Sequence, residues 1–202
     1  MDDLKQRLLA DRIASFIRLK GGYSVPLAGA VYWAALGIAG SKLPPETWIL
    51  VAFFASGAIF PLALLFAKIF GNDFMKDKTA TGDVLLPAFI SMLLFWPIAF
   101  AAYGMAPQLV PLILAIGMAQ HWPVIGWSYG KTGLYSAHAI VRAIGALLIW
   151  AWLPDERFTA LPLFVAAVYV GTVIAILIEA KREGAKATAT SQRPAPQSRE
   201  TE

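Results

Sequence analysis

The chain has 202 residues, of which 58% are hydrophobic and only 15% charged, with a formal net charge of +4 and no cysteine. A soluble domain is about a quarter charged, and a nucleic-acid binder would need a folded basic face, so both classes are excluded, as are disulfides, thiol catalysis and cysteine metal sites. Room remains for one helical bundle without a second globular domain.

In chain order, residues 3–20 set Leu4, Leu8, Leu9, Ile13, Phe16 and Ile17 on one face at helical spacing among basic residues. This predicts an amphipathic helix over residues 1–22, either lying on the cytoplasmic membrane surface or packed on the cytoplasmic end of a bundle. Charges recur from Asp2 to Lys20 with no short apolar core and cleavage site after them, which does not read as a cleavable signal. Charge-free runs then predict spans near residues 25–40 and 48–70. From Val84 to Gly130 there is no Lys, Arg, Asp or Glu. That run exceeds the ~20 residues of one crossing, and Tyr103-Gly104-Met105-Ala106-Pro107 punctuates it, giving spans near 84–103 and 108–129. A fifth span near 134–153 is interrupted by Arg142, and a sixth near 159–179 follows the turn Pro154-Asp155-Glu156-Arg157. These segments are apolar all round rather than alternating, so they read as helices and not as barrel strands. The expected fold class is all-α: a polytopic six-transmembrane-helix bundle over residues 23–180, with a disordered cytoplasmic tail over 181–202, where Ala, Thr, Ser, Pro and Arg predominate.

Lys and Arg distribute unevenly between the two sides of such a bundle. One side holds Lys5, Arg7, Arg12, Arg18, Lys20, Lys68, Lys76, Lys78, Lys131, Lys181, Arg182, Lys186, Arg193 and Arg199; the other holds only Lys42 and Arg157. The bias places both termini in the cytoplasm and requires an even number of spans, as in a multi-pass membrane protein.

Polar residues inside the spans mark the candidate site. Arg142 is the one formal charge well inside a span; it would either snorkel to the headgroups or face the bundle interior, with water or an anion as partner. No carboxylate lies at its depth, Glu179 being nearest but at the end of the sixth span. His138, four residues earlier, shares its helix face, and Gln120 and His121 reach a similar depth from the fourth span. Gln120, His121, His138 and Arg142 therefore form a candidate cytoplasm-facing polar pocket. Pro61, Pro97 and Pro123 sit inside three spans and should free the carbonyls of Gly57, Leu93 and Ala119. Trp48, Trp127, Trp152 and Tyr129 suit an interfacial belt, whereas Trp33 and Trp122 lie deeper. Gly29, Ala30, Ala34 and Gly37 in the first span, and Ala166, Ala167 and Gly171 in the sixth, would allow close helix approach.

The run Ala55-Ser56-Gly57-Ala58-Ile59-Phe60-Pro61-Leu62-Ala63, with Phe66-Ala67-Lys68 after it, reads as a family signature, as do Trp96-Pro97-Ile98-Ala99 and His121-Trp122-Pro123-Val124-Ile125-Gly126-Trp127-Ser128-Tyr129. Together they resemble a bacterial family of small multi-pass membrane proteins, domain-of-unknown-function family 7010, over roughly residues 10–182. The resemblance implies membrane architecture and a bacterial source, and it brings no activity and no site residue.

Three function classes follow. The leading one is a small transporter, channel or sensor that takes an anionic or protonatable solute in the polar pocket, working as a homo-oligomer because six short helices make a small bundle. The alternative is a non-catalytic structural or accessory subunit. A membrane enzyme ranks last: the spans hold no carboxylate, and the two His supply no third metal ligand. No cofactor, no metal and no nucleic acid is expected. The expected partners are the lipid bilayer, a second copy of the chain and a small molecule of unknown identity.

Overall fold

The computed structural model describes residues 2–191 apart from 73, 78 and 80, and over these it is helical with no strand. Its helices are α1 (Asp2–Arg18), α2 (Ser24–Gly40), α3 (Pro45–Ser56), α4 (Ile59–Ile69), α5 (Leu85–Leu93), α6 (Trp96–Met105), α7 (Val110–Gly117), α8 (Trp122–Ser128), α9 (Thr132–Trp152) and α10 (Ala160–Ser191). Five stretches are each long and apolar enough to cross a membrane; the pair α3 and α4, bent by 49°, brings the total to as many as six. Lys78, Arg193, Arg199 and the tail from residue 192 lie outside the described residues.

Three of the spans are broken, each just before its proline. The breaks fall at residues 57–58, 94–95 and 118–121, ahead of Pro61, Pro97 and Pro123. Proline carries no N–H and its ring crowds the preceding turn, so a continuous helix cannot run through these positions. The break before Pro123 differs from the sequence expectation in one respect. The Ala119 carbonyl is not free, because it accepts the Trp122 N–H at 3.2 Å, while Gly117 takes the Gln120 N–H at 3.3 Å. Tighter i→i+3 turns reclaim what proline removed.

The final helix also differs from expectation. α10 has 32 residues, roughly 48 Å at the helical rise, against ~30 Å of hydrocarbon. Residues 181–191, placed in a disordered tail by composition, continue the helix beyond the apolar run. Composition failed here because a helix already nucleated in the bundle propagates into sequence that would not form one alone.

The turn Lys20-Gly21-Gly22 brings α1 back beneath the bundle. All three residues have left-handed φ, at 47°, 63° and 61°, a conformation that glycine takes without strain. A Cβ on Gly21 would lie 2.5 Å from Ile176 Cγ2, and the Gly21 carbonyl accepts the Tyr135 hydroxyl at 2.5 Å. Held this way, the C-terminal half of α1 packs on the bundle. Phe16 is buried edge-on against Tyr129, and the Arg12 guanidinium sits 4.4 Å over the Trp127 ring. Asp77, in the loop after α4, accepts from Ser15 Oγ at 2.5 Å and from Arg18 Nε at 2.7 Å. Of the two placements expected for α1, packing on the bundle holds for this half, while Leu4 and Leu9 stay exposed at its start.

α10 is the centre of the bundle, packed on α2 along one side and on α9 along another. Lipid tails are as apolar as leucine, so helix association in membranes depends on close fit and interhelical hydrogen bonds rather than on apolar area. α2 supplies that fit. A Cβ on Gly29 would meet the Tyr169 ring at 2.7 Å, one on Gly37 the Leu163 side chain at 2.5 Å, and one on Gly40 the Phe158 carbonyl at 1.8 Å. The small face expected on the sixth span is only partly used: Ala166 is buried, but Ala167 is exposed and nothing approaches Gly171. Trp48 likewise is no belt residue. It is fully buried, with its indole N–H donating to the Leu36 carbonyl at 2.7 Å. Trp152 is 72% exposed.

Candidate functional site

Arg142 is fully buried on the inner face of α9, so it does not snorkel. Its Nη1 donates to the Tyr169 hydroxyl at 2.7 Å, and its Nη2 to the Leu114 carbonyl at a long 3.4 Å. The guanidinium lies 5.0 Å from the Trp33 ring and 5.1 Å from that of Tyr169, within cation–π range. No carboxylate pairs with it among the described residues. Glu179, the nearest candidate in the sequence, instead accepts from Lys131 at 2.6 Å. The charge is held by one hydroxyl, one distant carbonyl and two aromatic faces.

One turn earlier on α9, His138 Nδ1 lies 2.8 Å from Thr172 Oγ1. The Thr172 hydroxyl has a single hydrogen, and it is donated to the Val168 carbonyl at 2.7 Å. The Nδ1 position must therefore be the donor in the His138 contact, and the neutral imidazole then presents a bare lone pair at Nε2. His121, at the break between α7 and α8, approaches from the other side. Its ring is 5.3 Å from Trp122, whose ring is 4.7 Å from His138, which in turn is 4.6 Å from Tyr169. Phe89 closes the far side of His121 at 4.9 Å.

Around this chain of rings, several buried polar atoms have no protein partner among the described residues: Arg142 Nε, Trp33 Nε1, Trp122 Nε1, His121 Nδ1 and His138 Nε2. Buried polar groups are nearly always paired, and leaving one unpaired costs about 1–3 kcal/mol. Such atoms concentrated at one level of a bundle mark a binding site more strongly than the charge alone does.

Three of the four candidate residues come together here. His121, His138 and Arg142 converge as their matched depths required; Gln120 does not, being exposed on the opposite side of the break. Sequence reasoning missed Tyr169 and Thr172, the polar groups that hold Arg142 and His138. Their signal was present: they stand three residues apart in an otherwise apolar span, and so share a helix face. At its present packing the centre is closed, with Arg142 at zero exposure.

A second polar feature lies at the end of the bundle where most Lys and Arg gather. Lys131, between α8 and α9, donates to Glu179 at 2.6 Å and to Glu183 at 2.9 Å, and Lys186 also reaches Glu183. Burial alone would lower the Lys131 pKa, but its hydrogen bonds and the charges of both glutamates hold it above the ordinary lysine value. An open cavity of about 620 Å³ lies beside the pair, lined by Lys131, Thr132, Leu134, Ile178, Glu179 and Arg182 among others. No group of three His, Cys, Asp or Glu side chains gathers among the described residues.

A protein-family model described as "Family of unknown function (DUF7010)" matches residues 12–179. No curated protein and no solved structure matches.

Proposed function

Because the chain belongs to this family of unknown function, which assigns it no activity, we propose from the site alone that it is a membrane protein that takes up or senses a small anionic solute at the buried Arg142 centre. The observation that carries the reading is a fully buried guanidinium with no carboxylate beside it among the described residues. A central arginine costs about 2.5–3.5 kcal/mol to insert in a membrane. A residue needed only for packing would fill the same space at less cost if it were apolar. An anion would supply the missing counter-charge, and the unpaired indole and guanidinium N–H groups would donate to it. On this reading the protein is no enzyme, sits in a bacterial inner membrane with both termini cytoplasmic, and works as a homo-oligomer. The charge bias supports the orientation. The nearly bare flank of α5 and α6, with Leu86, Leu94, Ile98 and Met105 exposed, supports a second copy or lipid against it.

A second reading has one observation in its favour. Arg142 is hydrogen-bonded and sealed, as it would be in an accessory subunit where it merely crosslinks α9 to α10. The purified protein in lipid nanodiscs separates the two, with thermal stability followed against sodium acetate, nitrate and chloride. Saturable stabilisation that is lost in both Arg142→Gln and Arg142→Met supports anion handling. The same melting temperature at every salt concentration, with folded variants behaving as wild type, refutes it and leaves the accessory role.

A further inference from the structure

We propose, resting on the anion reading, that the solute is a small oxyanion that still carries a hydroxyl hydrogen, with a hydroxycarboxylate as its simplest form. The donors and acceptors of the centre differ in number and kind. Arg142 Nε–H, Trp33 Nε1–H and Trp122 Nε1–H have only hydrogens to give, and none has a protein acceptor among the described residues; none of the three side chains can act as an acceptor itself. Together with the positive charge they call for a ligand rich in acceptor oxygens.

His138 calls for the opposite. The Thr172 hydroxyl is committed to Val168, so His138 Nδ1 is the donor and Nε2 an unpaired lone pair buried among Trp122 and Tyr169. The charged and titratable groups facing it are Arg142 on its own helix, His121 from the α7–α8 break and Tyr169 from α10. None of them is an acid that would favour a second positive charge there, and the Arg142 guanidinium opposes one. The ring is therefore neutral and Nε2 wants a hydrogen. Halide, nitrate or a plain carboxylate would satisfy the donors and leave Nε2 unpaired. A ligand with an O–H beside its anionic oxygens satisfies both sets at once, with the carboxylate towards Arg142 and the indoles and the hydroxyl towards His138. The mismatch left by simpler anions is the source of the discrimination.

The test compares three probes on the full chain in lipid nanodiscs: sodium glycolate, sodium acetate, which lacks the hydroxyl, and sodium methoxyacetate, which keeps the oxygen but not its hydrogen. Isothermal titration should show glycolate binding about fivefold to tenfold more tightly than acetate, the worth of one net hydrogen bond, with methoxyacetate no better than acetate. His138→Leu should erase the preference for glycolate over acetate, and His138→Gln, whose amide oxygen accepts, should restore part of it. Equal affinities in the wild type, or a glycolate preference that survives His138→Leu, overturns the hydroxyl assignment and leaves the anion reading standing. If none of the three salts binds, both fall together.

Discussion

Removing the Tyr169 hydroxyl should cost more than removing the charge it serves. Tyr169→Phe keeps the ring 5.1 Å from the guanidinium and deletes only the oxygen that Arg142 Nη1 reaches at 2.7 Å. A hydrogen bond to a charged group contributes about 1.5–3 kcal/mol, and the remaining contact, to Leu114 at 3.4 Å, is too long to replace it. The variant should therefore lose about 1.5–3 kcal/mol, because it strands a buried cation. Arg142→Met is different. It relieves the ~2.5–3.5 kcal/mol insertion cost of a central arginine and gives up one charged hydrogen bond together with two cation–π contacts of roughly 0.5–2 kcal/mol each. These amounts nearly cancel, so its stability should stay within about 2 kcal/mol of wild type. Once the charge is gone the hydroxyl has no partner to lose, so adding Tyr169→Phe to Arg142→Met should cost little more. The coupling between the two sites should be about 1.5–3 kcal/mol. Reversible unfolding in mixed micelles of all four proteins measures the cycle. A Tyr169→Phe cost below about 0.5 kcal/mol would mean that the guanidinium has another acceptor. An Arg142→Met loss above about 5 kcal/mol would mean that packing adds to its role, since that exceeds what its contacts supply net of the insertion relief.

Gly29→Ala places a Cβ 2.7 Å from the Tyr169 ring, and should cost about 1–3 kcal/mol as overpacking while weakening acetate binding in the same titrations; a stable variant with unchanged affinity would separate Tyr169 from the site. Lys131, held above the ordinary lysine pKa by Glu179 and Glu183, should contribute its full stability below the unfolded value of about 10.4 and lose it as pH rises through the higher folded value. The advantage of wild type over Lys131→Met in thermal unfolding should therefore hold from neutral pH to about pH 10 and shrink above it, and a difference that disappears by pH 8 would contradict the pairing. The chain has no native cysteine, so Thr132→Cys at the start of α9 and Lys42→Cys in the turn after α2, both exposed, can report orientation through a membrane-impermeant thiol reagent: the first should label in inside-out vesicles and the second in right-side-out ones, and labelling of both from one side would break the six-span topology.

The positions of the long apolar helices were legible because charge exclusion from hydrocarbon is a constraint on each residue separately, which needs no partner to be known. The convergence of His121, His138 and Arg142 was legible for a related reason: depth along a helix follows from residue counting. What could not be read was azimuth. Gln120 and His121 are neighbours in sequence and equal in depth, yet the turn between α7 and α8 sends one outward and the other inward, and no helical period applies within a break. Trp48 shows the same limit, since its distance from the span end suited the interface while its indole was in fact committed to Leu36. The end of α10 escaped because composition weighs residues 181–191 as a free segment, and they are the continuation of a packed helix.

The broken and unbroken helices divide the site between them. α2, α9 and α10 run without interruption and carry Trp33, His138, Arg142, Tyr169 and Thr172, so the cation, its hydroxyl and the oriented imidazole belong to one rigid group centred on α10. His121 ends the break between α7 and α8 and Trp122 opens α8 directly after it, where the backbone is held by i→i+3 turns rather than by a continuous ladder. Rearranging that break would displace one wall of the centre and leave the Arg142–Tyr169 pair in place. Pro123 keeps the break from healing into helix, because it cannot supply the N–H that a continuous ladder requires. The proline that looked like a common membrane-helix kink therefore stands two residues from His121, at the one edge of the sealed centre where backbone geometry is not already fixed by a helix.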